Sequence, residues 1–214
     1  MRQQIEMRRN GTMPVQPITL TLLSEEAELH LCTSCSVMAH LVERYGPCGI
    51  LRRRNTAFQT LASSIISQQL SARAASTIKK RVIALSPGFT PAGILSLSPE
   101  SLRTAGLSSA KIRYMTELAQ RLQDGRFNFR HLRQQNNEDV ITALTDLPGV
   151  GRWTAEMFLI FGLKRPDVLA LDDVGLQRAV RLLFGETATL EGVSDSWRPY
   201  RSVASWYLWR SLDE

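Results

Sequence analysis

The chain has 214 residues, of which 43% are hydrophobic and 21% charged, the balance of a folded globular protein rather than a disordered one. No apolar run reaches the roughly 18 residues that a membrane-spanning helix needs, so no membrane partner is expected. Lys and Arg exceed Asp and Glu by 26 to 20, a net charge of +6, which suits a partner made of phosphates but is weak evidence taken alone.

Residues 1–18 are basic and polar, with methionines at 1, 7 and 13. No apolar stretch with a small-residue cleavage site accompanies them, so they read as a poorly ordered leader rather than a secretion signal, and a cytoplasmic protein is expected, nucleoid-associated in a bacterium. The one strand-like alternation of useful length is ITLTLL, near residue 18. The cysteines, Cys32, Cys35 and Cys48, are odd in number and confined to the first quarter of the chain, unlike a disulfide framework. His30 and His40 lie close by, yet the spacing to Cys48 matches no common zinc pattern, and the three read as reduced thiols.

From about residue 58 the pattern is helical. Phe58, Leu61, Ala62, Ile65 and Ile66 fall at offsets 0, 3, 4, 7 and 8 of one helix face. The segment SQQLS interrupts that helix, SARAASTIKKRVIAL resumes, and a turn follows at Ser86 to Gly88. Ser98 and Pro99 carry the chemistry of a helix start, with the next turn at Gly106. Ile112, Met115, Leu118, Ala119 and Leu122 form a second stripe, closed by Gly125 in a C-capping position. Near the C-terminus Tyr200, Val203, Ala204, Tyr207 and Leu208 mark a buried face, with Trp206 and Trp209 to one side of it. There is no βαβ rhythm, Walker loop or G-x-G-x-x-G, which argues for an all-α architecture and against nucleotide-binding α/β folds.

The most informative segment is EDVITALTDLPGVGRWTAEMFLIFGL. One helix should end near Asp146, a tight turn follows at Pro148-Gly149-Val150-Gly151, and a second helix begins around Arg152. Glycines there permit unusual backbone angles and clear side chains from free N–H groups at a helix N-terminus, an anion site indifferent to base sequence. Lys111 and Arg152 are candidates to add charge, although an ordinary helical hairpin would read the same way locally. Downstream, Asp172 and Asp173 precede an amphipathic helix carrying Val174, Leu176, Ala179 and Val180, and on local grounds both aspartates read as helix caps.

LPGVGRWTA resembles the helix-hairpin-helix signature, and with the downstream Asp the chain resembles the HhH-GPD superfamily of DNA glycosylases. Its nearest branch is the AlkA-type 3-methyladenine DNA glycosylase II family, with similarity running from SSIISQQLSARAA to the final WRPYRSVASWYLWR. The resemblance implies an all-α fold of two helical lobes with the active-site cleft between them, residues 19–214 forming a single unit. It implies a monofunctional enzyme that removes N-alkylated purines of the 3-methyladenine or 7-methylguanine type from duplex DNA. The DNA-binding hairpin would be Leu147, Pro148, Gly149, Val150, Gly151 and Arg152, with Na+ or K+ held by the backbone carbonyls of Thr145, Leu147 and Val150.

The family's spacing from pocket Trp to catalytic Asp is met by Trp153 and Asp173, twenty residues apart. The resemblance therefore selects Asp173 as catalytic and leaves Asp172 as its capping or supporting neighbour. A carboxylate beside the sugar can stabilise an oxocarbenium ion and help deprotonate the attacking water. Relatives that also cut the strand carry a lysine where this chain has Trp153, so no lyase activity is implied. Trp153 and Trp209 match base-pocket positions, and an electron-rich ring suits a cationic purine. Gln69 or Leu70, in the Ser67–Leu70 loop, would wedge into the duplex. No cysteine follows Cys48, so no iron–sulfur cluster is implied, no other cofactor is required, and a monomer is expected. A glycosylase for hypoxanthine, uracil or oxidised purines, or a non-catalytic lesion sensor, would share much of this pattern.

Overall fold

The computed structural model describes residues 20–213, apart from 51, 53 and 87. The leader, residues 1–18, lies outside the described residues. The elements are α1 (Leu20–Ser34), α2 (Ser36–Tyr45), α3 (Ala57–Ser67), α4 (Ala72–Leu85), α5 (Pro91–Leu95), α6 (Pro99–Thr104) and α7 (Ser109–Gln123). There follow α8 (Phe129–Leu132), α9 (Asn137–Thr145), α10 (Arg152–Phe161), α11 (Val174–Phe184), α12 (Leu190–Ser194), a 3-10 turn at Asp195–Trp197, and α13 (Arg201–Arg210). No strand occurs among the described residues, and no helix of theirs is long and apolar enough to cross a membrane.

Helical periodicity is converted directly into burial. Leu61, Ala62, Ile65 and Ile66 of α3 and Met115, Leu118 and Ala119 of α7 are fully or almost fully enclosed. The starts of these helices are set by short polar side chains: Thr56 and Gln59 form a reciprocal capping box on α3, and Ser71, Ser98 and Ser108 cap α4, α6 and α7, each satisfying an amide the helix cannot. Gly125, at φ +79, follows the end of α7, where the left-handed turn favours glycine.

Two expectations are corrected. ITLTLL is not a strand, since from Leu20 onward it forms the first turns of α1. Six alternating residues carry a weak local preference, and α1 gains more by burying Ala27 and Leu31, four apart on one face, against neighbouring helices. Val174, expected in the buried stripe of α11, is 74% exposed while Leu176, Ala179 and Val180 are buried. As the first residue of α11 it points into the interlobe cleft rather than the core.

The helices sort into two lobes. In one, α3 packs on α4, α7 and α10, with α5 and α6 against α7 and α9 against α10. In the other, α1 and α2 from the start of the chain pack with α11, α12, the 3-10 turn and α13 from its end. One contiguous apolar core runs through both. The segment between α10 and α11 is stitched to α13: Ser202 Oγ bonds the N–H of Val168, Ser202 N donates to Pro166 O, and Arg201 grips Asp167 with two bonds of 2.6 and 2.9 Å. This anchors the stretch that carries Asp172 and Asp173.

Candidate active site

The lobes meet at a cleft of about 910 Å³, to which one lobe contributes the loop after α3, the N-terminal part of α7 and the hairpin before α10, and the other contributes Asp172 to Gly175. Asp173 is the junction. Its carboxylate, only 7% exposed, caps α11 by accepting the Leu176 N–H on Oδ1 at 2.8 Å. Oδ1 also accepts the indole N–H of Trp209 at 3.1 Å, and Oδ2 accepts that of Trp153 at 2.7 Å. Trp153 comes from α10 and Trp209 from α13, so each lobe supplies one indole. Three donors on a nearly buried carboxylate fix its rotamer and replace the water it has lost.

The cap of α11 is therefore Asp173 itself rather than Asp172. The tryptophans differ from each other. Trp153 lines the cleft and a second, adjoining cavity, whereas Trp209 stands behind the carboxylate, tilted against Phe161 at 5.7 Å between ring centres. Gly175 leaves room for this arrangement, since a Cβ there would lie 3.0 Å from Asp173 Oδ1 and 3.4 Å from Trp209 Cδ1.

The hairpin joins α9 to α10 through bonds from Leu147 N to Leu144 O and from Val150 N to Leu147 O. Gly149 sits at φ +77, and a Cβ there would overlap the ring of Tyr114, so both conformation and space demand glycine. Gly151 precedes α10 and offers no side-chain cap, whereas α3, α4, α6, α7, α9 and α11 all begin under a side-chain acceptor. The first amides of α10 are left for an outside acceptor, as a phosphate would be. Thr145 ends α9, so its carbonyl is past the reach of the helix's own amides, and Leu147 O accepts a single N–H. These oxygens, with that of Val150, are the backbone carbonyls on which the resemblance would place a monovalent cation.

The two candidate cations are both engaged within the protein. Arg152 holds Glu138 through two bonds of 2.7 and 3.1 Å and Glu156 at 3.2 Å. Burial raises the Glu156 carboxyl above its usual range, with Arg152 working against the rise. Lys111 donates to the carbonyls of Ile66 and Gln68, both at 2.7 Å, and burial lowers its ammonium below the usual lysine value. An anion approaching the hairpin would therefore meet mainly backbone amides.

Lys111 closes the C-terminal end of α3, and the chain then turns sharply: Gln69 adopts φ +56 and is exposed, and Leu70 remains 39% exposed at the cleft. Gln68 bonds Gly149 O at 2.8 Å and Thr154 Oγ1 at 3.0 Å. The loop bearing Gln69 and Leu70 is therefore tied to the hairpin, although the two are some eighty residues apart in sequence.

The profile of the HhH-GPD superfamily base excision DNA repair proteins matches residues 62–194, which include the α3–α4 loop, the hairpin and Asp173. The chain belongs to this superfamily. It is 31% identical to DNA-3-methyladenine glycosylase 1 of Schizosaccharomyces pombe over 87% of the chain and 86% of that protein. The solved structure of an S. pombe 3-methyladenine DNA glycosylase in complex with abasic DNA superposes with a TM-score of 0.76 at 30% identity, covering 88% of this chain and 97% of that one. A DNA-3-methyladenine glycosidase from Bacillus halodurans gives 0.69 at 37% identity, covering 86% and 88%.

Within this HhH-GPD frame, sequence reasoning overlooked Gln68 and Tyr114. Gln68 was readable only as part of a helix break, because its partners come from a distant segment. Tyr114 stands at the polar flank of the α7 stripe, where nothing local shows that a glycine will approach its ring.

Proposed function

We propose that this protein is a monofunctional DNA glycosylase of base excision repair that extrudes N-alkylated purines of the 3-methyladenine or 7-methylguanine type from duplex DNA and hydrolyses the bond to the sugar. The observation that carries this reading is the Asp173 carboxylate, enclosed at an interlobe cleft and held by two indole N–H groups and one helix amide.

The backbone amides before α10 take a phosphate of the damaged strand, and Na+ or K+ on the carbonyls of Thr145, Leu147 and Val150 would brace that turn. Gln69 or Leu70 enters the stack in place of the extruded base, its loop held by Lys111 and Gln68. As the glycosidic bond breaks, the electron pair leaves with the base and positive charge develops on the sugar. Asp173 faces that charge without reorganising, since its donors have already fixed it. Water then adds to the anomeric carbon and gives up its proton, with Asp173 the nearby acceptor. An alkylated purine leaves without a general acid because it already carries positive charge.

Hydrolysis of this kind requires no organic cofactor, and the site is assembled within one chain, as suits a monomer. Trp153 stands where lyase relatives carry the nucleophilic lysine, and the amine that does line the cleft, Lys111, is occupied by two carbonyls. The product expected is an abasic site in an intact strand. The test is incubation with methylated duplex: free 3-methyladenine and 7-methylguanine should appear, with strand breaks only after alkali. Tight binding without base release would overturn the enzymatic reading in favour of a lesion sensor.

A further inference from the structure

The second cavity has a lining that neither the carboxylate nor the hairpin uses. It encloses about 580 Å³ between α3, α4 and α10 and meets the main cleft at Ser67, Leu70 and Trp153. Its α3 wall is a stripe of hydroxyls, Thr60, Ser63, Ser64 and Ser67, at offsets 0, 3, 4 and 7 and beside the apolar face of the same helix. Each donates its proton to the carbonyl four residues earlier: Thr60 to Thr56 at 3.1 Å, Ser63 to Gln59 at 2.5 Å, Ser64 to Thr60 at 3.2 Å and Ser67 to Ser63 at 2.9 Å. A hydroxyl has one proton and two lone pairs, so this wall offers the cavity acceptors and no donors. Across from it, Trp153, Met157 and Phe161 of α10 present an electron-rich apolar face.

We propose that this cavity receives the extruded base and that its hydroxyl wall selects alkylpurines bearing an exocyclic amino group, a recognition that rests on the glycosylase reading above. The indole and thioether face favours a flat cation, and the serine oxygens accept from its amine. A base with a carbonyl or bare C–H at that edge leaves the oxygens facing an acceptor or nothing, which a polar pocket penalises. Lys79, the one cation among the lining residues, stands on the α4 side, so the positively charged ring lies against α3 and α10.

The decisive comparison is single-turnover release of 7-methylguanine and 7-methylhypoxanthine from otherwise identical duplexes, because the two cationic bases differ only in the 2-amino group. Their intrinsic leaving abilities differ, so the readout is the change in their rate ratio between wild type and the variants Ser63→Ala, Ser67→Ala and the double variant. Alanine favours the helix at both positions, and circular dichroism checks the fold. The ratio should fall about tenfold toward the amine-free base in the double variant, the worth of one lost hydrogen bond to a cationic donor. An unchanged ratio, with both bases still released, would overturn the acceptor wall and leave the glycosylase reading intact. Release of neither base by a wild type that still frees 3-methyladenine from methylated duplex would overturn this inference alone, and a wild type that frees none of the three would overturn the glycosylase reading and this inference with it.

Discussion

Replacing Trp153 by Phe removes the indole N–H while keeping an aromatic ring in the cleft. Asp173 Oδ2 would lose its 2.7 Å donor and keep no other among the described residues, whereas Oδ1 retains Leu176 N and Trp209. A hydrogen bond to a charged group is worth about 1.5–3 kcal/mol, or roughly 10- to 100-fold in rate if it is fully expressed in the transition state. The cleft is open, so water recovers part of the loss and the lower end, about tenfold, is expected. Trp209→Phe should cost less, because its bond is 3.1 Å and shares Oδ1 with the helix amide. The assay is single-turnover release of 7-methylguanine, with affinity read separately on a duplex carrying a non-cleavable abasic analogue. A wild-type rate accompanied by weakened binding in Trp153→Phe would refute the reasoning, since the ring would then act only as a stacking surface.

Gly149→Ala should lower affinity for damaged and undamaged duplex alike by at least about tenfold, because the left-handed backbone costs about 1–2 kcal/mol and the new methyl displaces Tyr114; fluorescence anisotropy on both duplexes checks this. Gln68→Ala should slow excision several-fold while affinity for undamaged duplex falls less than in Gly149→Ala, since two side-chain bonds of about 1 kcal/mol each, to Gly149 O and Thr154 Oγ1, are lost but no hairpin amide is altered. Burial alone would raise the Asp167 carboxyl, but the hydrogen bonds and charge of Arg201 outweigh it and hold it below the usual range. A depressed folded value contributes stability above the unfolded pKa of about 4, lost as pH falls through the folded value. Arg201→Met should therefore lower the melting temperature at neutral pH and weaken its fall below about pH 4, as followed by circular dichroism.

How much of this was legible in sequence depended on whether the determining contacts were local. The stripes of α3 and α7 follow from helical spacing, and the hairpin from glycine and proline at a helix junction, so both read correctly. Val174 misled because it obeys the spacing of α11 yet lies in its first turn, where the cleft rather than the core is the neighbour. ITLTLL misled because six alternating residues say little once α1 can bury Ala27 and Leu31. Trp153 and Trp209 were visible as aromatics, but nothing in their spacing reveals that both indoles converge on one carboxylate, which requires the lobes to meet. The hydroxyl stripe of Thr60, Ser63, Ser64 and Ser67 was readable at helical offsets, hidden by attention to the apolar residues between.

The most direct measurement is base release by Asp173→Asn on duplex containing 7-methylguanine, beside the wild type and with strand breaks scored before and after alkali. Asparagine preserves the shape but removes the charge, and its amide cannot accept from both indoles and Leu176 at once. Free base and alkali-dependent breaks are expected with the wild type, and neither with the variant, which still binds the duplex. Release by Asp173→Asn at the wild-type rate would contradict the catalytic role of Asp173.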